Sequence, residues 1–280
     1  YICNSSWQMK FRSTVFFAAV IVSIFSSLIA FAQSSSVAEL EKILAAEEAR
    51  GAALVERIER LEAARLQSVV ITNPDAKKFA ALSFVVRLRI KDAIGTNYGT
   101  GSVIFSEEGR AIILTVSHIF RKMDKKSVII AELFNPTTGK IEVFSIGYNG
   151  IKATDMDADV GLLEIRPDRI IKTVPLISPD DVLKVGQKVV SYGCGGGDAP
   201  TSLWHTITMF NRYTGPDNIE CTGVPIQGRS GGALVNEAGE LIGITIAADH
   251  RDQRGLYGGM RPINALLEKI GLNPKDLQKP

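Results

Sequence analysis

Three hydrophobic patterns follow one another along this 280-residue chain. Residues 15–29 are almost uninterruptedly apolar. Over 37–70, where no proline occurs, Val37, Leu40, Leu44, Leu54, Ile58 and Leu61 recur mostly at spacings of three and four, which predicts a long amphipathic helix. From residue 81 the period shortens towards two, and turn residues such as Glu108-Gly109 separate short runs. These predict strands at 82–90, 99–105, 111–116, 128–134, 141–148 and 160–165. After a break over 167–185, a second set is expected at 188–192, 206–213, 219–222, 233–236, 241–246 and 256–261. Residues 262–270 read as a closing helix, with Pro262 tolerated in its first turn.

The first two patterns acquire meaning from their flanks. Met9-Lys10-Phe11-Arg12 is a short basic start, and Ala30-Phe31-Ala32 supplies small residues at an export-peptidase site, so 9–32 reads as a cleaved leader with Gln33 as the mature start. The competing reading is an uncleaved membrane anchor, since the apolar run approaches the length of a marginal span. Export to the periplasm or beyond is expected, and membrane association only if the leader is retained. On the helix, Glu56/Arg60 at i,i+4 and Glu39/Lys42, Glu47/Arg50 and Glu62/Arg65 at i,i+3 suit a solvated face. A coiled-coil stalk that makes a homo-oligomer and a lone spacer helix both remain open, because Glu47 and Gly51 fall where apolar knobs belong. Asn73-Pro74-Asp75 ends the helix.

A composition of 45% hydrophobic and 22% charged residues suits one or two globular domains and excludes a disordered chain. Without Lys10 and Arg12, the number of Lys and Arg would equal the 30 Asp and Glu, so nothing calls for a nucleic-acid partner.

The candidate chemistry centres on Gln227-Gly228-Arg229-Ser230-Gly231-Gly232, a small-residue turn that feeds an apolar run. Glycines on both sides of Ser230 permit backbone angles and close approaches that side chains forbid. A serine hydroxyl is a poor nucleophile alone and needs a histidine base with an orienting carboxylate. Thr115-Val116-Ser117-His118 ends one apolar strand, and Asp159-Val160-Gly161-Leu162-Leu163 begins another. Asp155 and Asp157 compete with Asp159, which is preferred because it directly precedes the strand. Each residue alone has a bland reading, Ser230 as a hairpin turn and His118 as a strand cap.

Together, G-x-S-G-G at 228–232, T-x-x-H at 115–118 and D-V-G-L-L at 159–163, in the order His, Asp, Ser, resemble the trypsin-like serine proteases of the chymotrypsin fold, and most closely their bacterial Deg-type branch. The resemblance spans roughly 80–270 and implies a mainly β protein of two six-stranded antiparallel β-barrels, here preceded by the long N-terminal helix. It implies a serine endopeptidase acting on polypeptides through an acyl-enzyme, with His118 and Asp159 in the first barrel, Ser230 in the second and the reaction in the cleft between them. The backbone N–H groups of Gly228 and Ser230 would form the oxyanion hole. Val224 would floor the primary specificity pocket, with Ala248 and Gly255 as walls; Gln227 would also bind substrate, and the strand edge Ile246-Ala247-Ala248 would pair with it in extended form. Deg-type proteases usually append a peptide-binding domain, and too few residues follow the closing helix for one to be expected here. In digestive members a newly cut N-terminal amine pairs with an aspartate just before the serine; Arg229 stands there, so that switch should be absent and something else must order the turn, an unidentified carboxylate being one candidate. The second function class is a non-catalytic exported binding or assembly protein with the same double barrel, kept open by Val116-Ser117 and Arg229, which depart from the family pattern.

Other features carry less. Cys194 and Cys221 either pair as a disulfide or remain buried free thiols. Gly193-Cys194-Gly195-Gly196-Gly197 lacks the Gly-Lys-Ser/Thr of a phosphate loop and reads as a glycine-rich loop. His205 and His250 lack metal-ligand spacing with either cysteine, so neither metal nor cofactor is expected.

Overall fold

Alternating residues become strands here because each can turn one face to a core. The computed structural model describes Glu39 and residues 41–50, 82–92, 95–135 and 141–278. Seven strands come first: β1 (Val85–Lys91), β2 (Thr96–Glu107), β3 (Arg110–Thr115), β4 (Val128–Phe134), β5 (Ile141–Gly147), β6 (Ile151–Asp155) and β7 (Val160–Ile165). They form one antiparallel sheet in the order β5-β4-β1-β2-β3-β7-β6. The expected six-stranded first barrel is thus corrected to a seven-stranded sheet that stays open. The added strand β6, Ile151-Lys152-Ala153-Thr154-Asp155, buries none of its residues fully. A half-wet edge strand of this kind leaves almost no hydrophobic trace in a sequence.

The second set is β8 (Lys188–Gly193), β9 (Thr201–Phe210), β10 (Asn218–Thr222), β11 (Ala233–Val235), β12 (Leu241–Asp249) and β13 (Arg254–Gly258). These six close into a barrel in the order β10-β13-β12-β11-β8-β9. β9 starts five residues before its expected position, and its extra portion carries Leu203 and Trp204 on the surface, outside any core that the pattern could report. Met260 and Arg261, expected at the end of a strand, instead open helix α1 (Met260–Lys269).

The core has three parts. Val86, Leu88, Ile113, Leu133 and Leu163 fill the first sheet, while Val189, Ile207, Cys221, Ile242 and Tyr257 fill the second barrel. Between them, Leu114, Val116 and Leu162 pack with Val190, Ala233, Ile244 and the α1 residues Ile263, Leu266 and Leu267. This shared core fixes the barrels against each other, and the connector reinforces it: Val174 N–H donates to Val103 O at 3.0 Å and Ile177 N–H to Leu241 O at 3.0 Å.

Residues 41–50 are helical and belong to a separate unit; Leu44 is 59% exposed there, and Arg50 and Glu47 form the expected i,i+3 pair at 2.8 Å. The rest of the predicted helix over 37–70 and the leader at 9–32 lie outside the described residues. Among the described residues no helix is long and apolar enough to cross a membrane.

Candidate active site

β3 ends at Thr115, and a short 3-10 turn, His118–Phe120, sets His118 at the mouth of the sheet. Asp159 lies in the tight loop between β6 and β7 at φ 56°, a left-handed conformation that aspartate tolerates better than most residues. The competing Asp155 builds that loop: its Oδ1 accepts the N–H groups of Asp157 at 3.1 Å and Ala158 at 2.9 Å. Asp159 faces the histidine. Its Oδ2 lies 2.6 Å from His118 Nδ1, and its Oδ1 accepts the His118 N–H at 2.7 Å. Ser117 Oγ completes the cradle, 3.1 Å from Asp159 Oδ1 and 3.0 Å from Asp155 O. Burial raises the Asp159 pKa, but the hydrogen bonds and charge of His118 with the Ser117 bond outweigh it, so the carboxyl sits below its usual range. An ionised Asp159 assigns the proton to His118 Nδ1 and leaves Nε2 with a lone pair.

Ser230 follows Arg229, the residue that two consecutive turns share. Arg229 N–H donates to Ile226 O at 3.2 Å, and Gly232 N–H to Arg229 O at 2.9 Å. The third residue of each turn is a glycine with positive φ, Gly228 at 92° and Gly231 at 85°. A Cβ on Gly228 would lie 2.6 Å from Cys194 O, and one on Gly231 would lie 2.2 Å from both Thr100 O and Thr115 Oγ1. The sequence spaces its glycines as it does because both turns are pressed against other backbone.

Those contacts come from both halves of the fold. From β2, Thr100 N–H donates to Ser230 O at 2.8 Å and Thr100 Oγ1 to Gly228 O at 2.7 Å. Thr115, three residues before His118, donates through Oγ1 to Thr100 O at 2.7 Å. From the second barrel, Gly196 N–H donates to Gln227 O at 2.7 Å. In a trans peptide N–H and C=O point in opposite directions, so this bond turns the Gly228 N–H away from the glycine-rich turn. Among the described residues, no acceptor takes the N–H of Gly228 or of Ser230, and Ser230 Oγ is not hydrogen-bonded to His118.

A family model described as the trypsin-like peptidase domain matches residues 99–244, which takes in all three segments just described. The chain belongs to the trypsin-like peptidase family. Its relatives are of the Deg type. It is 28% identical over 155 residues to a periplasmic pH-dependent serine endoprotease, DegQ, of Escherichia coli, covering 53% of this chain and 31% of that one. It is also 28% identical over 220 residues to the serine endoprotease DegS of Haemophilus influenzae, covering 74% and 59%. The chain thus spans less than two thirds of these relatives' lengths. Among solved structures, the active form of a protease from M. tuberculosis superposes with a TM-score of 0.57 at 21% identity, covering 72% of this chain and 88% of that one, a likeness of fold.

In this trypsin-like peptidase the residue before the serine is held by neutral oxygens and not by the candidate carboxylate. Arg229 is 1% exposed and lies inside the second barrel, where its guanidinium meets only neutral oxygens. Nη1 donates to Gly193 O at 3.1 Å and Thr201 Oγ1 at 2.8 Å; Nη2 donates to Ser191 O at 2.9 Å and Ser191 Oγ at 3.1 Å, with Thr201 O further off at 3.4 Å. Ser191 Oγ continues the chain to His205 Nε2 at 2.8 Å, and His205 Nδ1 meets Thr222 O at 2.6 Å. Burial lowers the His205 pKa, helped by the Arg229 charge and opposed by the Thr222 bond, so the buried histidine is neutral and serves this network.

The disulfide alternative is corrected: Cys194 and Cys221 are both free. Cys194 lies in the core shared by the barrels and Cys221 in the second barrel's own core, and burial pushes each thiol up to about 12. The expected substrate positions cluster along one edge. Ala247 pairs with Leu256 and Ala248 with Gly255 across β12–β13. Named pairing of β12 with β11 reaches only Ile244, so beyond Thr245 the opposite edge of 246–248 carries no strand among the described residues. A Cβ on Gly255 would meet Pro225 Cδ at 3.1 Å and Gly223 O at 3.2 Å, which places the segment holding Val224 against that wall. Glu220 on β10 and Asp249 at the end of β12, the carboxylates nearest these positions along the chain, are both engaged. Glu220 is bound by Thr208 Oγ1 at 2.5 Å and by Arg212, and Asp249 by the N–H groups of Arg251 and Asp252, both at 3.0 Å. Sequence reasoning missed Thr100, whose one signal is a threonine between glycines in an apolar run, and the Ser191–Thr201 acceptors of Arg229, which left none.

Proposed function

We propose that the chain is an exported serine endopeptidase that hydrolyses peptide bonds through an acyl-enzyme on Ser230. The observation that carries this is the His118–Asp159 pair at 2.6 Å, set at the end of the same strand whose Thr115 braces the Ser230 turn through Thr100. In the mechanism, His118 Nε2 takes the Ser230 proton as Oγ attacks the substrate carbonyl, and ionised Asp159 holds Nδ1–H and stabilises the imidazolium. The free N–H groups of Gly228 and Ser230 receive the developing oxyanion; one such donor is worth about 3 kcal/mol. His118 then gives its proton to the leaving amine, and water, activated by the same nitrogen, releases the acyl group. Extended substrate would pair with the free edge at Ile246–Ala248 by strand addition. A neighbouring side chain could occupy the cavity of about 220 Å³ that Asp157, Tyr213, Ile246 and Leu256 help to line.

Export rests on the leader at 9–32 and on a relative named as periplasmic. Assembly through the helix over 37–70 belongs to the same proposal, as does the protease domain over 80–270. A labelled fluorophosphonate should react with the full chain and not with Ser230→Ala. Equal labelling of both would remove Ser230 from the role of nucleophile, and no labelling of either would favour the non-catalytic binding protein.

The residues expected around the primary pocket, Val224, Ala248 and Gly255, include no carboxylate. A lysine or arginine entering there would lose hydration without an ion pair, a penalty on the order of several kcal/mol. An aliphatic side chain would gain about 0.8 kcal/mol per buried methylene. Profiling with a peptide library should show cleavage after Val, Ala, Leu or Ile. Dominant cleavage after Arg or Lys would refute the apolar pocket and leave the nucleophile untouched.

A further inference from the structure

We propose that Arg229 is the positioning residue of the oxyanion turn, a built-in cation that anchors it to the wall of the second barrel and makes an activating ion pair unnecessary. This rests on the reading of Ser230 as nucleophile. Arg229 lies between the two free N–H donors, so whatever fixes its side chain fixes the peptide planes on both sides. Its guanidinium binds oxygens at two positions along β8, Ser191 and Gly193, and Thr201 at the start of β9. Three separate backbone positions therefore hold one rigid, planar group.

The partners are unusual for a charge buried this deeply. Among the described residues Arg229 makes no ion pair, and its Nε has no hydrogen-bond partner. An unpaired buried cation is costly, and a hydrophobic core alone would be better served by leucine or methionine. What the guanidinium supplies and an apolar side chain cannot is directional attachment of the turn to carbonyl oxygens. Burial lowers the Arg229 pKa, but a guanidinium starts so high that it keeps its charge, and its direct acceptors do not titrate, so this anchor is set on folding and needs neither a new chain terminus nor a carboxylate. Two further clamps, Gly196 N–H on Gln227 O and Thr100 Oγ1 on Gly228 O, hold the neighbouring peptides together with Arg229.

The test compares Arg229→Met, which keeps length and loses every donor, with Arg229→Lys, which keeps charge and some donors. Each is measured by peptide hydrolysis, by affinity for a peptide aldehyde whose adduct places an oxyanion in the hole, and by hydrogen–deuterium exchange over 226–232. In Arg229→Met, kcat should fall about a hundredfold with KM little changed, aldehyde affinity should fall in parallel, and exchange at 226–232 should quicken. Arg229→Lys should recover part of each. Wild-type kcat and unchanged exchange in Arg229→Met would overturn the proposal, as would a rise in KM with kcat intact. Should Arg229→Met fail to fold, Thr201→Val removes one acceptor alone; faster exchange at 226–232 supports the anchor, and unchanged exchange refutes it. If the wild-type chain hydrolyses nothing, the endopeptidase reading fails, and the exchange comparison still decides whether Arg229 orders the turn.

Discussion

Ser230→Ala and His118→Ala should each lower kcat by about a million-fold, and combining them should cost little more, because members of such a unit fail together. The geometry makes this specific. His118 is held through Nδ1 by Asp159 at 2.6 Å and through its own N–H at 2.7 Å, so its ring has one nitrogen left for proton transfer. Neither substitution should disturb the fold. Ser230 is only half-buried and lends the turn its backbone, through the carbonyl that accepts from Thr100 N–H at 2.8 Å, rather than its side chain. Steady-state kinetics on clean preparations, with thermal melts as control, measures both effects. Undiminished hydrolysis by Ser230→Ala would end the assignment.

Asp159→Asn should cost about ten-thousand-fold in kcat while the protein remains folded. Asparagine accepts the φ of 56° at this position as readily as aspartate does, so the backbone strain does not change. What changes is the acceptor. An amide cannot stabilise an imidazolium, and its NH2 favours the wrong tautomer of His118. Asp157→Asn is the matched control: its side chain is exposed and makes no bond to His118, so kcat should stay near wild type and any effect of its place in the cavity lining should fall on KM. A large loss in Asp157→Asn with a small one in Asp159→Asn would transfer the carboxylate role. The same Asp159 links pH to stability. Its folded pKa is depressed, so its contribution is present above the unfolded value of 3.8 and is lost as pH falls through the folded one.

Reading the sequence succeeded where information was local. His118 and Asp159 each sit at the end of an apolar run, and hairpin geometry brings such ends together: Thr115 pairs with Gly161 across β3–β7, which sets the two residues opposite each other. Gly228 and Gly231 announced a tight turn, and the structure makes it two in succession, each with a glycine where only glycine fits. β6 was missed because it is five residues long and offers its half-covered face only Ile151 and Ala153, too few to mark a period. Closure was misjudged because it depends on twist and edges that no single strand encodes. The fate of Arg229 was illegible because its acceptors are main-chain oxygens at Ser191 and Gly193 and a threonine at Thr201, and carbonyl groups are the same in every sequence. The two cysteines stayed ambiguous because only the packing assigns them to different cores.

The stitching of the Ser230 turn by Thr100 also bears on the life of the molecule before it is finished. A chain made from its N-terminus presents the strands that carry His118 and Asp159 before the segment with Ser230 has been synthesised. That segment takes its working shape only when β2, the glycine turn after β8 and the interior of the second barrel have all met it. On the proposed function, a half-assembled molecule would therefore hold a base with no nucleophile yet to activate.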